Sequence, residues 1–306
     1  MTNSILHLLN HFLPIDQLFS SPLDHKDSVA LTNEQQQQQE QQPGSTLLYW
    51  TLVPSLLTLT SMFISLLAQL FSSFWPRIEY APHVQNKPTK SLWLSFVLNH
   101  SMASVLTSGC IAWSRSHGSL YEFNLFEMHS NWDRVWYVGK VLMCVLFMLI
   151  LYDLCVYVFH RSCHAFKFMY RFFHQQHHEN CAPRGVLDAI YGDSLESLIV
   201  ALCASGQMML FEFPISSVVI FLFLISFLVQ VNHSGHCVEI PFLYNYRFHT
   251  SHHLHFRVNF SEHIMLWDYL FGTLKLSDPN TMQNGSKSVL NLHNERTIEV
   301  KRCKDK

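Results

Sequence analysis

Three long apolar stretches, separated by polar segments, dominate the first half of the chain. They lie at about residues 46–75, 91–114 and 135–159. Each is long enough to cross a lipid bilayer, which takes about 20 residues in a helix. The first stretch is about thirty residues long and contains Pro54, so it fits either one crossing or a re-entrant pair of shorter helices. Both interpretations stay open at this point.

A fourth apolar region, residues 195–231, is too long for a single crossing. Glu212 and Pro214 interrupt it near its middle, where a charge and a proline end a helix most readily. We therefore predict a hairpin of two helices, roughly 195–211 and 215–231.

The composition agrees with a membrane protein. The chain of 306 residues is 49% hydrophobic and only 14% charged, whereas soluble domains carry about 25% charged residues. The expected fold is an all-α integral membrane protein with about four to five transmembrane helices. Its 20 basic residues form no long run, so nucleic-acid binding is not predicted. The eight cysteines show no CxxC pairing, so we expect no disulfide framework.

Histidines form three blocks in the second half of the chain. Their sequences are His160-Arg-Ser-Cys-His164, His174-Gln-Gln-His177-His178 and His249-Thr-Ser-His252-His253. On a helix, residues i, i+3 and i+4 share a face, so each block can aim its imidazoles in one direction. Eight nitrogen donors are too many for one first-row metal ion, which accepts about four to six ligands. The blocks therefore predict a site for two metal ions.

Further residues near the blocks are candidates for the same site. His233, at the end of the fifth apolar segment, is placed to be a ninth ligand, and His236 follows it closely. Asp153 lies seven residues before His160 in the third apolar stretch, and a buried acid at that depth needs a partner. It is either a residue that fixes an imidazole tautomer or one that meets water near the helix end. Neutral imidazoles suit iron, zinc and copper, and the sequence does not choose among them.

Basic residues indicate which side of the membrane the blocks face. The N-terminal segment is mainly acidic, whereas the loop after the first stretch carries Arg77, Lys87 and Lys90. The positive-inside tendency places that loop in the cytosol. Two further crossings and the hairpin then bring all three blocks, and the basic tail at 301–304, to the cytosolic side. The blocks therefore form a cytosolic histidine-box metal domain.

Two further sequence patterns bear on the location of the protein. The basic tail resembles an endoplasmic-reticulum retrieval signal. Asn232, Asn259 and Asn284 match the pattern of glycosylation acceptors, but on this topology they face the cytosol and carry no sugar.

Together, the blocks, the Asn232-His-Ser-Gly-His236 element and the stretch Trp267-Asp-Tyr-Leu-Phe-Gly-Thr273 resemble the fatty acid hydroxylase and sterol desaturase superfamily. The resemblance covers about residues 135–275. Within it, the sequences at 170–178 and 232–241 look most like the branch that contains cholesterol 25-hydroxylase and the C-4 methylsterol oxidases.

This resemblance implies two non-haem iron ions, O2 as co-substrate, and electrons from cytochrome b5 or an NAD(P)H-dependent reductase. It also implies a multi-pass protein of the endoplasmic reticulum membrane. The branch usually has tyrosine where this chain has His236, so an extra ligand and an exchanged phenol both stay open. Carried over residue by residue, the implied ligands are His160, His164, His174, His177, His178, His233, His249, His252 and His253.

Four parts of the chain follow from these observations. Residues 1–45 form a disordered, low-complexity N-terminal segment with a glutamine-rich run. Residues 46–134 contain transmembrane helices and loops, 135–275 form the fatty acid hydroxylase-like di-iron domain, and 276–306 form a polar C-terminal tail.

The predicted function is O2-dependent hydroxylation or oxidation of a sterol or related lipid that enters from the bilayer. Hydroxylation or desaturation of a fatty acyl chain or sphingoid base is the alternative within the enzyme class. A metal transporter or metal-buffering membrane protein is the alternative from another class. Four phenylalanines near the second block line a substrate pocket or simply pack at the membrane interface, namely Phe166, Phe168, Phe172 and Phe173.

Overall fold

The computed structural model describes residues 43–78, 92–121, 130–180, 185–240 and 244–275. Three sequence predictions lie outside these residues: the low-complexity segment up to residue 42, the polar C-terminal tail, and the glycosylation pattern at Asn284.

The described residues are mostly helical, as predicted. The helices are α1 (Pro43–Ser72), α2 (Leu92–Ser116), α3 (Asn131–Ala165), α4 (Ser194–Ser205), α5 (Ile215–Asn232), α6 (Tyr246–His255) and α7 (Leu266–Leu270). Shorter helical segments lie between these helices. They are one α-helical turn at Lys167–Met169, a π-helix at Tyr170–His174, and 3-10 turns at His177–Glu179, Val186–Asp188 and Gly206–Met209.

Four two-residue strands form two small sheets. Strand β1 (Leu120–Tyr121) pairs in parallel with β2 (Phe213–Pro214). Strand β3 (Glu239–Ile240) pairs antiparallel with β4 (Tyr244–Asn245). The first sheet ties the end of α2 to the turn of the hairpin.

Four of the helices are long and apolar enough to cross a membrane: α1 from Tyr49 onward, α2, α3 and α5. Helix α1 continues through Pro54, so the single-helix interpretation of the first stretch is correct and the re-entrant one is wrong. A proline removes only one backbone hydrogen bond, whereas breaking the helix in apolar surroundings would expose several unpaired amides and carbonyls.

The predicted helical hairpin is confirmed. Helix α4 begins after Asp193, whose side chain accepts a hydrogen bond from the Leu195 amide at 2.8 Å, and it continues into a 3-10 turn that ends at Met209. Helix α5 begins directly after Pro214, at the predicted break. The first arm, Ser194–Met209, is shorter than the four spanning helices.

Helix α3 is longer than its apolar stretch and carries the first histidine block in its last turns. At its start, the Ser130 hydroxyl accepts hydrogen bonds from the amides of Trp132 and Asp133, and Asp133 accepts one from the Ser130 amide. This capping box explains why the helix begins before the apolar residues do. At its other end, Phe166 adopts an extended conformation and stops the helix just after His164.

A core of apolar side chains lies between α3, the hairpin and β2. Tyr152 and Phe221 meet in this core edge to face, with ring centroids 6.0 Å apart. Its buried members are Leu120, Met148, Tyr152, Val156, Ala204, Met208, Phe213, Val218, Phe221 and Ile225. The core therefore fixes α3 and α5, the two spanning helices that carry predicted ligands at their C-terminal ends.

Two buried acids hold the loop that follows α6. Asp268 accepts hydrogen bonds from the amides of Phe260 and Ser261 at 2.8 Å and from the Thr273 hydroxyl at 2.7 Å. Asp153, on α3, accepts from the amides of Glu262 and His263 at 3.0 and 2.8 Å. The loop 260–263 is thereby bound both to α7 and to the long helix α3.

We expect Asp268→Ala to lower the free energy of unfolding by about 3–5 kcal/mol, because it leaves three buried donors without their charged acceptor. Thermal unfolding of the detergent-solubilised protein measures the effect. The exposed acid Glu212 provides the control, and Glu212→Ala should change stability by less than about 0.5 kcal/mol. Equal stability of the two variants would contradict the role assigned to Asp268.

Candidate metal centre

Nine histidines converge in two groups. In each group the ligand atoms lie within 4.8 Å of one another. Group one consists of His160, His164, His174, His178 and His252, and group two of His177, His233, His249 and His253. The structure thus brings together all nine histidines that the resemblance implied as ligands.

Both the second and the third block divide their side chains between the groups. His174 and His178 belong to group one, whereas His177 belongs to group two. The second block is not the regular α-helix that its spacing predicted, because a π-helix ends at His174 and a 3-10 turn begins at His177. The Gln175 amide donates to the Tyr170 carbonyl at 2.7 Å, which is the i→i+5 bond of a π-helix.

The third block does lie on an α-helix, α6, as predicted. Even so, His252 faces group one while His249 and His253 face group two. The two groups are therefore adjacent, with α6 and the second block supplying donors to both.

Backbone carbonyls orient four of the imidazoles. In each, Nδ1–H donates to a carbonyl oxygen, which can only accept, so Nε2 keeps its lone pair for a metal ion. The pairs are His160 with Phe260 at 2.9 Å, His177 with Tyr191 at 3.2 Å, His233 with Val229 at 3.0 Å, and His252 with Val258 at 2.8 Å.

A carboxylate orients a fifth imidazole. Glu196, in the first turn of α4, accepts a short hydrogen bond from His174 Nδ1–H. Gly192 makes this approach possible, since a Cβ there would lie 3.0 Å from Glu196 Oε2 and 3.6 Å from His177 Cβ. The sequence showed Glu196 only as one of several acids near the blocks and gave it no role. A capping residue, Asp193, three positions before it is the signal that could have placed Glu196 in the first turn of a helix, whereas no local signal pairs it with His174.

The Nε2 atoms crowd together in a way that fits metal ions. His178 Nε2 lies 2.8 Å from His174 Nε2 and 3.1 Å from His252 Nε2. Because His174 and His252 donate through Nδ1, both of these Nε2 atoms carry lone pairs, and a proton on His178 can serve only one of them. A cation among the nitrogens satisfies all of them at once.

Group two shows the same crowding. His249 Nε2 lies 2.9 Å from His233 Nε2 and 3.0 Å from His253 Nε2. In group one, the Nε2 atoms of His160 and His164 are buried and have no hydrogen-bond partner among the described residues. The donor set therefore fits metal ions in both groups.

Burial keeps the imidazoles neutral, as metal ligands must be. It lowers the pKa of His233 to about 4. It lowers the pKa values of the other ligands outside the spanning helices as well, and the neighbouring imidazoles add to the effect; these are His174, His177, His178, His249, His252 and His253.

The structure bears on two residues whose roles the sequence left open. His236 lies outside both groups, and its Nδ1–H donates to the Ser234 carbonyl at 2.9 Å, which favours the exchanged phenol over an extra ligand. Asp153 binds backbone amides of the loop 260–263 rather than an imidazole, so of its two predicted roles the direct fixing of a tautomer is wrong. Asp153 acts on His160 indirectly, since this loop also contains the Phe260 carbonyl that orients His160.

His263 is buried and stacks on Tyr152 with ring centroids 5.8 Å apart. Phe166, Phe168 and Phe172 are 54%, 60% and 68% exposed, which agrees with the second of their two predicted roles, packing at the membrane interface. Phe172, with Phe173, does border a cleft of about 270 Å³, but its other lining residues are mainly polar.

The part of the chain that carries the two histidine groups is similar to known proteins. Residues 145–273, which contain all nine histidines, match the family described as Fatty acid hydroxylase. The predicted resemblance is thereby confirmed. The segment begins inside α3 and ends after α7, so it includes the helix hairpin and every element that contributes to the two groups.

Individual relatives agree with the predicted branch, the one that contains cholesterol 25-hydroxylase and the C-4 methylsterol oxidases. The chain is 30% identical to a methylsterol monooxygenase 1 of Gallus gallus over 51% of this chain and 54% of the relative. It is 28% identical to a cholesterol 25-hydroxylase-like protein of Danio rerio over 57% of this chain and 74% of the relative. A Delta(7)-sterol 5(6)-desaturase of Leptosphaeria maculans is 28% identical over 40% of this chain and 34% of its own length.

The chain thus spans about half the length of the methylsterol monooxygenases that it matches. No solved structure matches it.

The contact between His174 and Glu196 leads to a measurable expectation. Glu196→Gln replaces the charged acceptor by a neutral amide, so His174 becomes a weaker and less fixed ligand. We expect metal affinity to fall by about 10–100-fold, the usual effect of losing such a partner.

Equilibrium binding of Fe²⁺ under anaerobic conditions measures this affinity. Glu239→Gln is a matched control, because Glu239 pairs with Arg247 at the surface at 3.1 Å and touches neither group. If both variants bound Fe²⁺ as tightly as the unchanged protein, the role of Glu196 would be refuted.

Proposed function

We propose that this protein is a membrane-bound, non-haem di-iron oxygenase that hydroxylates or oxidises a sterol or related lipid. The observation that carries the proposal is the pair of adjacent histidine groups at the ends of the spanning helices α3 and α5. The match to the fatty acid hydroxylase family and to relatives named for sterol chemistry supports iron as the metal and a sterol as the substrate.

Each group would hold one iron ion. Five imidazoles in group one and four in group two leave open positions on ions that take up to about six ligands. Bound iron supplies the oxidising power that protein side chains lack, by activating O2 for attack on an unactivated C–H bond. The protein's part is to hold nine neutral imidazoles in place and to keep bulk water from their nitrogens.

The surroundings of the groups suit a substrate that comes from the bilayer. The apolar core between α3, the hairpin and β2 borders the loop 260–263, since His263 of this loop stacks on the core residue Tyr152. A lipid approaching between these helices would meet apolar side chains first and the histidines at the helix ends.

Topology and partners complete the proposal. The distribution of basic residues supports histidine groups facing the cytosol, and the relatives support the endoplasmic reticulum membrane. There, cytochrome b5 or an NAD(P)H-dependent reductase would deliver electrons from the cytosol. The buried, hydrogen-bonded side chains of Asn232 and Asn259 fit the expectation that these acceptor patterns stay without sugar.

Hydroxylation of a fatty acyl chain or sphingoid base is the second candidate, and the description of the matching family favours it. A metal transporter finds less support, because transporters place their ligands at mid-membrane on broken helices. Here α3 is continuous from Asn131 to Ala165, and its two ligands lie in its last turns.

We expect microsomes containing the protein to form hydroxylated or oxidised sterols in the presence of O2 and a reductant. His177→Ala should lower turnover by at least about 100-fold, because it removes a ligand from group two. Membrane insertion should be unchanged. Analysis of lipid products by mass spectrometry, with sterols and sphingolipids offered in parallel, measures both activity and substrate class.

The matched control is His255→Ala, since His255 lies on the same helix as the third block but outside both groups. It should retain most of the activity. Hydroxylated sphingolipids without sterol products would favour the second candidate. A protein loaded with iron that oxidises neither class of lipid would overturn the proposal.

A further inference from the structure

Several buried polar residues of the spanning helices are not predicted metal ligands, and Asn99 is one of them. Asn99 lies in α2, outside the segment that matches the family, and only 2% of its surface is exposed. A polar side chain buried in such a helix is costly unless its hydrogen-bonding groups are satisfied. The partners of Asn99 therefore show what the residue is for.

Asn99 binds the chain that links the second block to α4. Its amide group Nδ2 donates to the carbonyl of Ile190 at 2.8 Å and lies 3.3 Å from the carbonyl of Gly192. Its oxygen Oδ1 accepts from the Ser194 hydroxyl at 2.8 Å. The third contact of Nδ2 is with Ser95 Oγ, one turn earlier in α2, at 3.2 Å. Donors and acceptors are thus matched on both sides of the amide.

The residue between the two bound carbonyls is Tyr191. Its own carbonyl accepts the proton of His177 Nδ1 at 3.2 Å, the contact that directs His177 Nε2 towards group two. By holding the carbonyls of Ile190 and Gly192, Asn99 fixes the two peptide units that flank the one containing the Tyr191 carbonyl. The orientation of His177 therefore depends on a side chain of another spanning helix.

The linking chain has two further contacts at Tyr191, since its amide donates to the Asp188 carbonyl at 3.3 Å and its hydroxyl donates to Glu179 at 3.0 Å. Neither of these contacts holds the Ile190 or the Gly192 carbonyl. Gly192 has no side chain, and a Cβ there would lie 3.0 Å from Glu196 Oε2, so a larger residue would displace that side chain. Glu196 sits on α4, which has its own N-terminal cap at Asp193. The contact of Glu196 with His174 in group one is therefore less dependent on Asn99 than the contact of Tyr191 with His177 in group two.

We propose that Asn99 is a positioning residue for group two, acting on His177 through the Tyr191 carbonyl. It touches neither a ligand nor the reacting atoms. Its loss should weaken the metal site of group two and leave that of group one in place. This inference rests on the proposed function, because it takes each histidine group to be the site of one metal ion.

Two substitutions test the proposal. Asn99→Leu is similar in size and removes all four contacts of the amide. Asn99→Ser is milder, because a serine hydroxyl in a helix can bond to a carbonyl of the preceding turn, as Ser108 does with Ser104 at 2.7 Å. The serine is too short to reach the linking chain. It should therefore preserve folding while breaking the contact.

The control is Ser108→Ala on the same helix. Ser108 is fully buried, but its hydroxyl bonds only within α2. All variants are purified in detergent, freed of metal and titrated with Fe²⁺ under anaerobic conditions. Size-exclusion profiles and far-UV circular dichroism report on folding.

The unchanged protein and Ser108→Ala should bind about two ions per chain, one for each histidine group. Both Asn99 variants should bind one ion with unchanged affinity and the other about 10–100-fold more weakly. The double variant Asn99→Ser with His177→Ala should bind metal no more weakly than His177→Ala alone, because both changes act on one ligand.

Other outcomes would overturn the inference. If both Asn99 variants bound two ions as tightly as the unchanged protein, Asn99 would have no positioning role. If both aggregated while Ser108→Ala remained folded, Asn99 would serve the folding of the helix bundle instead. Absence of metal binding by the unchanged protein would count against the proposed function itself.

Discussion

Unprotonated imidazole nitrogens, packed close together in the protein interior, are the constraint on which the rest of the structure depends. The Nε2 atoms of His174, His178 and His252 lie about as close as hydrogen-bonded atoms do, yet two of the three carry only lone pairs. Such an arrangement is unfavourable unless cations sit among the nitrogens. The protein must therefore hold these side chains in place by interactions made elsewhere.

Those interactions are hydrogen bonds from the Nδ1 atoms of the imidazoles to groups that do not belong to the two histidine groups. Main-chain carbonyls at Phe260, Tyr191, Val229 and Val258, together with the Glu196 carboxylate, accept the Nδ1 protons. Two of these carbonyls lie in segments held by buried polar residues: Asp268 and Asp153 bind the loop containing Phe260, and Asn99 binds the carbonyls of the residues before and after Tyr191. Buried acids and amides inside the helix bundle thus serve the geometry of the histidines.

The spanning helices hold the segments that orient the histidines. Helices α3 and α5 end at the histidine groups, and both are fixed by the apolar core between them. Ligand placement and the anchoring of the connecting loops therefore depend on the same few helices.

The sequence by itself determined the helical class, the hairpin with its break near Pro214, and the nine converging histidines. These follow from local rules: apolar length, helix-ending residues, and imidazoles at close spacing. Tertiary structure alone decided the rest. It divided each of the last two blocks between two groups, because a π-turn rotates His174 relative to His177 and the i and i+3 positions of α6 face different neighbours. It also paired His174 with Glu196 and assigned Asp153 to a loop more than a hundred residues away, since contacts between distant segments depend on packing that no spacing encodes.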